Sequence, residues 1–236
     1  MGQARCAMAV DDTPNAVSAL MLLKREFPDD PEVLFICTHY FSQLAMRSSQ
    51  ELAVKAPTSI QARRLEAEAF ESQGKWDEAV GMYRGILKDN PKEPGIHYRV
   101  GQVLISKAGD SGPVDGARAE FQQELEIDPR SAPSEFVLGE LDRRTANFDN
   151  AARHFTHAAE IDPEFAEAYL GLGMSLTAAS KFADAIKPLE TYTKMLPDDP
   201  AGHFQLAMAY GRTGNREAAQ RETALQKAAA AKRPSR

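Results

Sequence analysis

The feature that most narrows what this chain can fold into is a recurrence every 34 residues. Pro129, Pro163 and Pro197 fall at that interval, and so do Ala117, Ala151, Ala185 and Ala219. Gly139, Gly173 and Ala207 repeat it with a small residue, and Phe121, Phe155 and Leu189 with a bulky apolar one. Upstream, Ala67, Ala79, Tyr83 and Pro91 have the same mutual spacing as Gly139, Ala151, Phe155 and Pro163. One coincidence carries no weight. Four that hold over four or five units mark a stacked array, because a unit this small cannot bury a core alone.

Each unit reads as two helices. Ser134 to Ala146 carries Phe136, Val137, Leu138 and Leu141, and Asn150 to Ile161 carries Ala151, Ala152, Phe155, Ala158 and Ala159. Both show apolar residues at helical spacing. Asp162-Pro163 stops the second helix, since proline cannot donate and disfavours helical geometry in the residue before it. Gly74-Lys-Trp, Asn147-Phe-Asp, Ser180-Lys-Phe and Gly214-Asn-Arg mark the turns between helices. The spacing predicts that Gly139 faces Ala151 and Gly173 faces Ala185, where two helices cross too closely for a large side chain.

The pattern resembles the tetratricopeptide-repeat family, whose unit has small residues at positions 8 and 20, an aromatic at 24 and proline at 32. The match covers about residues 58–231. Position 4, often tryptophan in that family, is Arg63, His97, Glu135 and Tyr169 here. The resemblance implies an all-α, right-handed superhelical solenoid of antiparallel helix pairs, acting as a non-catalytic scaffold for protein–protein contacts; a cytoplasmic location is expected by default, since the start does not read as a signal peptide and no apolar run is long enough for a membrane span. It further implies a concave groove for a peptide or helix, lined by positions 2, 5, 9, 12 and 13 of each first helix. Carried onto this chain, the groove residues are Tyr98, Phe136, Leu170 and Phe204, with Met174 and Met208 a turn further on and Arg143, Arg144 and Arg212 at the border. Such a column suits a short apolar segment with an acidic flank. Family members that clamp the terminal carboxylates of chaperones use lysine and asparagine at positions 5 and 9. Arg64/Glu68, Tyr98/Gln102 and Phe136/Glu140 could not form that clamp.

Departures from the period divide the chain. Residues 1–10 read as a flexible start, 11–57 as a degenerate half repeat plus a shortened repeat, 58–231 as four to five units, and 232–236 as a basic tail. The half repeat is the helix Asn15 to Phe27, whose stripe of Val17, Leu20, Leu23 and Phe27 is expected to lack a covering helix. Weak self-association through that end is therefore expected, or an upstream portion with its own enzymatic or signalling activity. The shortened repeat pairs a helix from Glu32 to about Arg47 with a stub from Ser49 to Lys55. Gly101 and Ala117 are sixteen apart, which places a four-residue insert within residues 109–116, in a turn where extra length costs little. Gly109-Asp-Ser-Gly-Pro113 resembles a serine-protease signature with one glycine missing, but no barrel-like surroundings accompany it. The last helix, Arg216 to about Ala231, has one wet face.

Other chemistries find little support. Net charge is −6, but from Gly211 onward seven Lys and Arg stand against two Glu, so that end carries +5 and the remainder −11. The acidic balance argues against nucleic acid as a partner. The longest apolar runs are too short to span a bilayer. Cys6 and Cys37 form no CxxC. His154 and His157 share one helix and are expected to face outward without a third metal ligand. No nucleotide, zinc-protease or nucleophile-elbow motif occurs, and no cofactor is expected.

Overall fold

A computed structural model describes residues 12–109 and 114–232. Among them every regular element is an α-helix, and there are twelve: α1 (Thr13–Glu26), α2 (Pro31–Lys55), α3 (Ile60–Ser72), α4 (Trp76–Asp89), α5 (Ile96–Ala108), α6 (Asp115–Ile127), α7 (Ala132–Arg144), α8 (Phe148–Ile161), α9 (Ala166–Ala178), α10 (Phe182–Met195), α11 (Pro200–Arg212) and α12 (Arg216–Lys232). Residues 1–11, 110–113 and 233–236 lie outside the described residues, and with them half of the segment expected to hold the insert, the start and the end of the basic tail. The chain divides into two compact units, one ending at Glu66 and the other beginning at Ala67.

Proline sets the helix ends. α1, α2, α4, α6, α8 and α10 are closed by Phe27, Ala56, Asn90, Asp128, Asp162 and Leu196, each the residue before a proline. At all six the backbone leaves the helical region, with ψ between 58° and 94°, as the steric bulk of a following proline favours. Inside a unit the reversal uses a left-handed residue instead. Gly74, Ala146, Ser180 and Gly214 take φ of 70°, 58°, 62° and 85° at matching places in four units. Glycine adopts this at no steric cost, whereas alanine and serine pay for it.

In the second unit, helices pack in chain order from α4 to α12, and α7, α9 and α11 also touch one another as a row of first helices. The small residue at position 8 makes room for position 24. A Cβ on Gly139 would come within 2.9 Å of the Phe155 ring, one on Gly101 within 2.7 Å of Phe121, and one on Gly173 would collide with Leu189. This corrects the expected pairing with Ala151 and Ala185: the bulky side chain of the second helix, not the alanine, is the nearest neighbour. Phe155 also reaches the next unit, where a Cβ on Gly171 would lie 2.7 Å from it. Glu124 on α6, 2% exposed, accepts the backbone N–H groups of Gly95 (2.7 Å) and Tyr98 (3.1 Å), so a buried carboxylate caps α5.

The first unit differs from the sequence reading in two ways. The stripe on α1 is not bare: Ala16 and Leu20 are fully buried with Val33, Cys37 and Tyr40 of α2, and Val17 and Leu23 pack against them. Phe27 stays exposed, joined by Met21, Leu22 and Phe35. The shortened helix pair is replaced by one continuous helix, α2. Between Phe41 and Ala56 there is no glycine, proline or asparagine, and past Arg47 only Leu52, Ala53 and Val54 could have given a returning helix an apolar face. The helix therefore runs on until Ala56 meets Pro57.

Candidate functional site

The first-helix row of the second unit carries the expected groove residues, but most are already engaged. Tyr98 on α5 is half-buried, edge-on to Phe121 with ring centres 5.6 Å apart, and its hydroxyl accepts a 2.6 Å hydrogen bond from Gln102. Phe136 on α7 lies 4.9 Å from Phe165 and 5.5 Å from Phe155. Leu170 on α9 packs against Ala185, Leu189, Leu206 and Ala209, and Met174 is half-buried one turn on. Phe204 on α11 is the exception, 48% exposed, with Met208 half-buried and Arg212 exposed along the same face.

The arginines divide similarly. Arg143 donates to both carboxylate oxygens of Glu140, at 2.7 and 3.2 Å, and this bond raises its pKa above the ordinary guanidinium value despite partial burial. Arg212 places its guanidinium 5.5 Å from the centre of the Phe182 ring. Arg144 is exposed.

Position 4 supplies what the sequence reading did not find. Numbering each unit so that its small residue is position 8, His97, Glu135 and His203 all occupy position 4. Each bonds to position 23 of its own second helix: His97 to Glu120 (2.6 Å), Glu135 to His154 (2.6 Å), and His203 to Glu222 (2.7 Å). The place of the family tryptophan is thus taken by a histidine–carboxylate pair in three hairpins, with the two residue types exchanged in the middle one. In the remaining hairpin of this row, Tyr169 and Pro188 hold the same two positions and line one cleft. The signal lay in the repeats themselves, since aligning position 23 beside position 4 shows the pairing.

This places His154 differently from the outward orientation expected of it. Its Nδ1 is on Glu135 and its Nε2 lies 3.7 Å from Asp142, whereas His157 remains exposed with Nδ1 3.4 Å from Glu135. Burial pushes the Glu135 carboxyl up, but the hydrogen bond and charge of His154, with His157 behind it, outweigh burial and hold it below 4.5. Arg118 pairs with Asp142 at 2.9 Å. Among the described residues no group of three or more His, Cys, Asp or Glu side chains could hold a metal ion.

On the other face of the row, second helices α8 and α10 flank a cleft of about 440 Å³ over Leu172 and Leu176. Its rim mixes signs, with Lys181 bonded to Asp149 at 2.9 Å, and Arg153, Glu160 and Asp184 nearby.

Two family models, both described as tetratricopeptide repeat, match residues 64–132 and 144–203. The chain belongs to the tetratricopeptide-repeat family. A curated relative, Protein CTR9 homolog of Arabidopsis thaliana, is 24% identical over 219 residues, which is 86% of this chain and 19% of that protein. Tetratricopeptide repeat protein 16 of Homo sapiens is 24% identical over 135 residues, 54% of this chain and 15% of its own length. The chain therefore spans less than a fifth of either relative. Among crystal structures, MamA superposes with a TM-score of 0.63 at 18% identity, covering 70% of this chain and 95% of MamA. MamA of Desulfovibrio magneticus RS-1 does so at 0.64 and 16%, covering 74% and 97%. YrrB, described as a TPR protein with an unusual peptide-binding site, gives 0.64 at 16% identity, covering 77% and 91%. The fold is thus the helical-hairpin solenoid of protein–protein interaction scaffolds, whose relatives are generally non-catalytic. Among the described residues no helix is long and apolar enough to cross a membrane.

Proposed function

We propose that this chain is a scaffold that takes a peptide or helix along the first-helix row of its second unit, with the contact centred on α11. The observation that carries the reading is the contrast at position 5. Tyr98, Phe136 and Leu170 are spent on internal packing and form the floor, whereas Phe204 stands clear beside Met208. A large side chain left exposed where its equivalents are covered is the common form of a binding anchor. Arg212 and Arg144 lie at the border and favour an acidic flank.

A peptide library displayed on phage and selected against the whole chain tests the reading. The selected peptides should share one or two large apolar residues followed by Asp or Glu. Their affinity should fall about thirtyfold with Phe204→Ala, the usual loss for a buried interface aromatic of about 2 kcal/mol. Arg144→Ala should cause a smaller loss that added salt removes. Peptides that bind Phe204→Ala and Met208→Ala proteins undiminished would place the contact elsewhere.

A second reading follows from length. Because the chain spans 19% and 15% of its curated relatives, it also fits the repeat portion of a larger protein whose upstream domain carries an enzymatic or signalling activity. The intact mass of the native protein distinguishes the two.

A further inference from the structure

Helix α2 is covered on one side only. Val33, Cys37 and Tyr40 face α1, and Leu44 is the last residue of α2 in that core. Across residues 45–55 every side chain but Leu52 is exposed. A bare stretch of that length is marginal as a helix in water by itself, since isolated helices shorter than about 12–15 residues rarely persist. The side opposite Val33, Cys37 and Tyr40 carries Phe35, His39, Ser42, Met46, Ser49 and Ala53, at alternating steps of four and three that keep them on one face. All six are exposed, Phe35 by 70% and Met46 by 57%, and the His39 ring stacks on Phe35 with centres 6.0 Å apart. No Asp, Glu, Lys or Arg occurs between Glu32 and Arg47. Further on, Arg47, Glu51 and Lys55 fall on the other side of the helix, with Lys55 bonded to Glu51 at 2.9 Å. An exposed face cleared of charge is the composition of a contact centre and not of a solvated surface.

This face is complementary to itself. When two copies of α2 run antiparallel about a two-fold axis near Leu44, Phe35 of one copy meets Ala53 of the other, His39 meets Ser49, and Met46 meets Ser42. Every large side chain then opposes a small one, the alternation that lets two helices interdigitate. A parallel pairing would set Phe35 on Phe35 and Met46 on Met46. The hole that Phe35 needs is also present. At Ala53 the helix opens into a cleft of about 450 Å³, lined by Ser49 and Pro57 and, on α3, by Ala62 and Leu65. Leu65 is 39% exposed there. Each copy thus carries one knob and one hole, about 27 Å apart along the helix.

We propose that α2 is the contact between two copies of this chain, antiparallel about a two-fold axis near Leu44, with Phe35 of each copy seated in the α2–α3 cleft of the other. This differs from the self-association expected through α1, whose stripe is buried against α2. It belongs to the first unit and is independent of the α11 contact in the second.

The area sets the strength. A contact about 27 Å long between helices about 10–12 Å across hides on the order of 1,000 Å² in all, below the roughly 1,200 Å² of most stable complexes. Association is therefore weak, with a dissociation constant of about ten micromolar or higher. Well below that concentration the chain is monomeric and Phe35 is an ordinary surface residue.

Sedimentation velocity of the whole chain between about 1 and about 200 μM should show the mass rise from one copy toward two. Phe35→Glu sets a carboxylate against an apolar cleft that Glu66 also lines, and should keep the chain monomeric throughout. Val54→Glu is the control: Val54 is 81% exposed but off the seam, so the same charge there should leave association unchanged. Ala53→Lys fills the hole and should weaken self-association by about tenfold or more. An equimolar mixture of Phe35→Glu and Ala53→Lys chains reads the register. In the mixed pair the new acid of one copy meets the new amine of the other, while the second knob and hole stay native, so dimer should return. A wild type that stays monomeric over the whole range overturns the proposal, and that reading needs no variant to fold. So does association that survives Phe35→Glu, an equal loss with Val54→Glu, or a mixture that pairs no better than its parts.

Discussion

The two compact units use similar residues to different effect. Among the described residues, eleven large apolar side chains are exposed, and eight of them, from Met21 to Leu65, belong to the first unit; Phe35, 70% exposed, is among them. In the second unit every hairpin keeps register with the next, so a bulky position 24 side chain such as Phe155 is covered by Gly139 from its own unit and Gly171 from the following one. In the first unit α1 and α2 meet over a seam of Ala16, Leu20, Val33, Cys37 and Tyr40, while Met21, Leu22 and Phe35 on the same two helices are exposed among the described residues. Burial in such an array depends on the phase of neighbours more than on how apolar a helix is.

The largest expected effect tests that contrast. Phe155→Ala empties a site shared by two units and should cost about 3–5 kcal/mol, whereas Leu20→Ala, on one seam, should cost nearer 2–3 kcal/mol. Urea titration followed by circular dichroism measures both, and a Leu20→Ala loss equal to that of Phe155→Ala would dissolve the distinction. A smaller effect of opposite sign belongs to the turns. Ala146 and Ser180 occupy the left-handed conformation that Gly74 and Gly214 fill in sister units, so Ala146→Gly and Ser180→Gly should each stabilise by up to about 1 kcal/mol. The smallest change is at the surface of α2, where Phe35→Ser should shift stability by less than about 0.5 kcal/mol. That near-silence, set beside Phe155→Ala, sharpens the comparison to exposure at equal side-chain type.

How far the sequence carried depended on whether a feature repeats. The period, the hairpin organisation and the proline stop at Pro163 were legible, and Pro28 and Pro57 act in the same way outside the clear repeats. The continuity of α2 was not, because nothing in residues 45–50 states whether a helix turns there; only the lack of anything for a returning helix to bury decides it. The partner of Gly139 was misread because spacing along one helix pair leaves positions 20 and 24 both within reach, and side-chain volume chooses between them. At the candidate site the residue types were legible but their exposure was not. Phe136 and Phe204 are equivalent by register, yet Phe165 covers the first, while the residue 34 positions after Phe165's equivalent in the next unit, Arg233, lies outside the described residues.

The exchanged histidine–carboxylate pair also fixes where such an array can be cut and rejoined. A crossover in the turn inside a hairpin that joined α7 to α12 would set Glu135 against Glu222, and one that joined α11 to α8 would set His203 against His154. Each chimera would place like groups across a close contact and forfeit the bond that closes the seam. A crossover at the prolines after α6, α8 or α10 moves each pair whole. Duplication, deletion or grafting is therefore tolerated when the transferred block runs from one proline to the next, which makes the complete hairpin, and not the single helix, the heritable module of this chain.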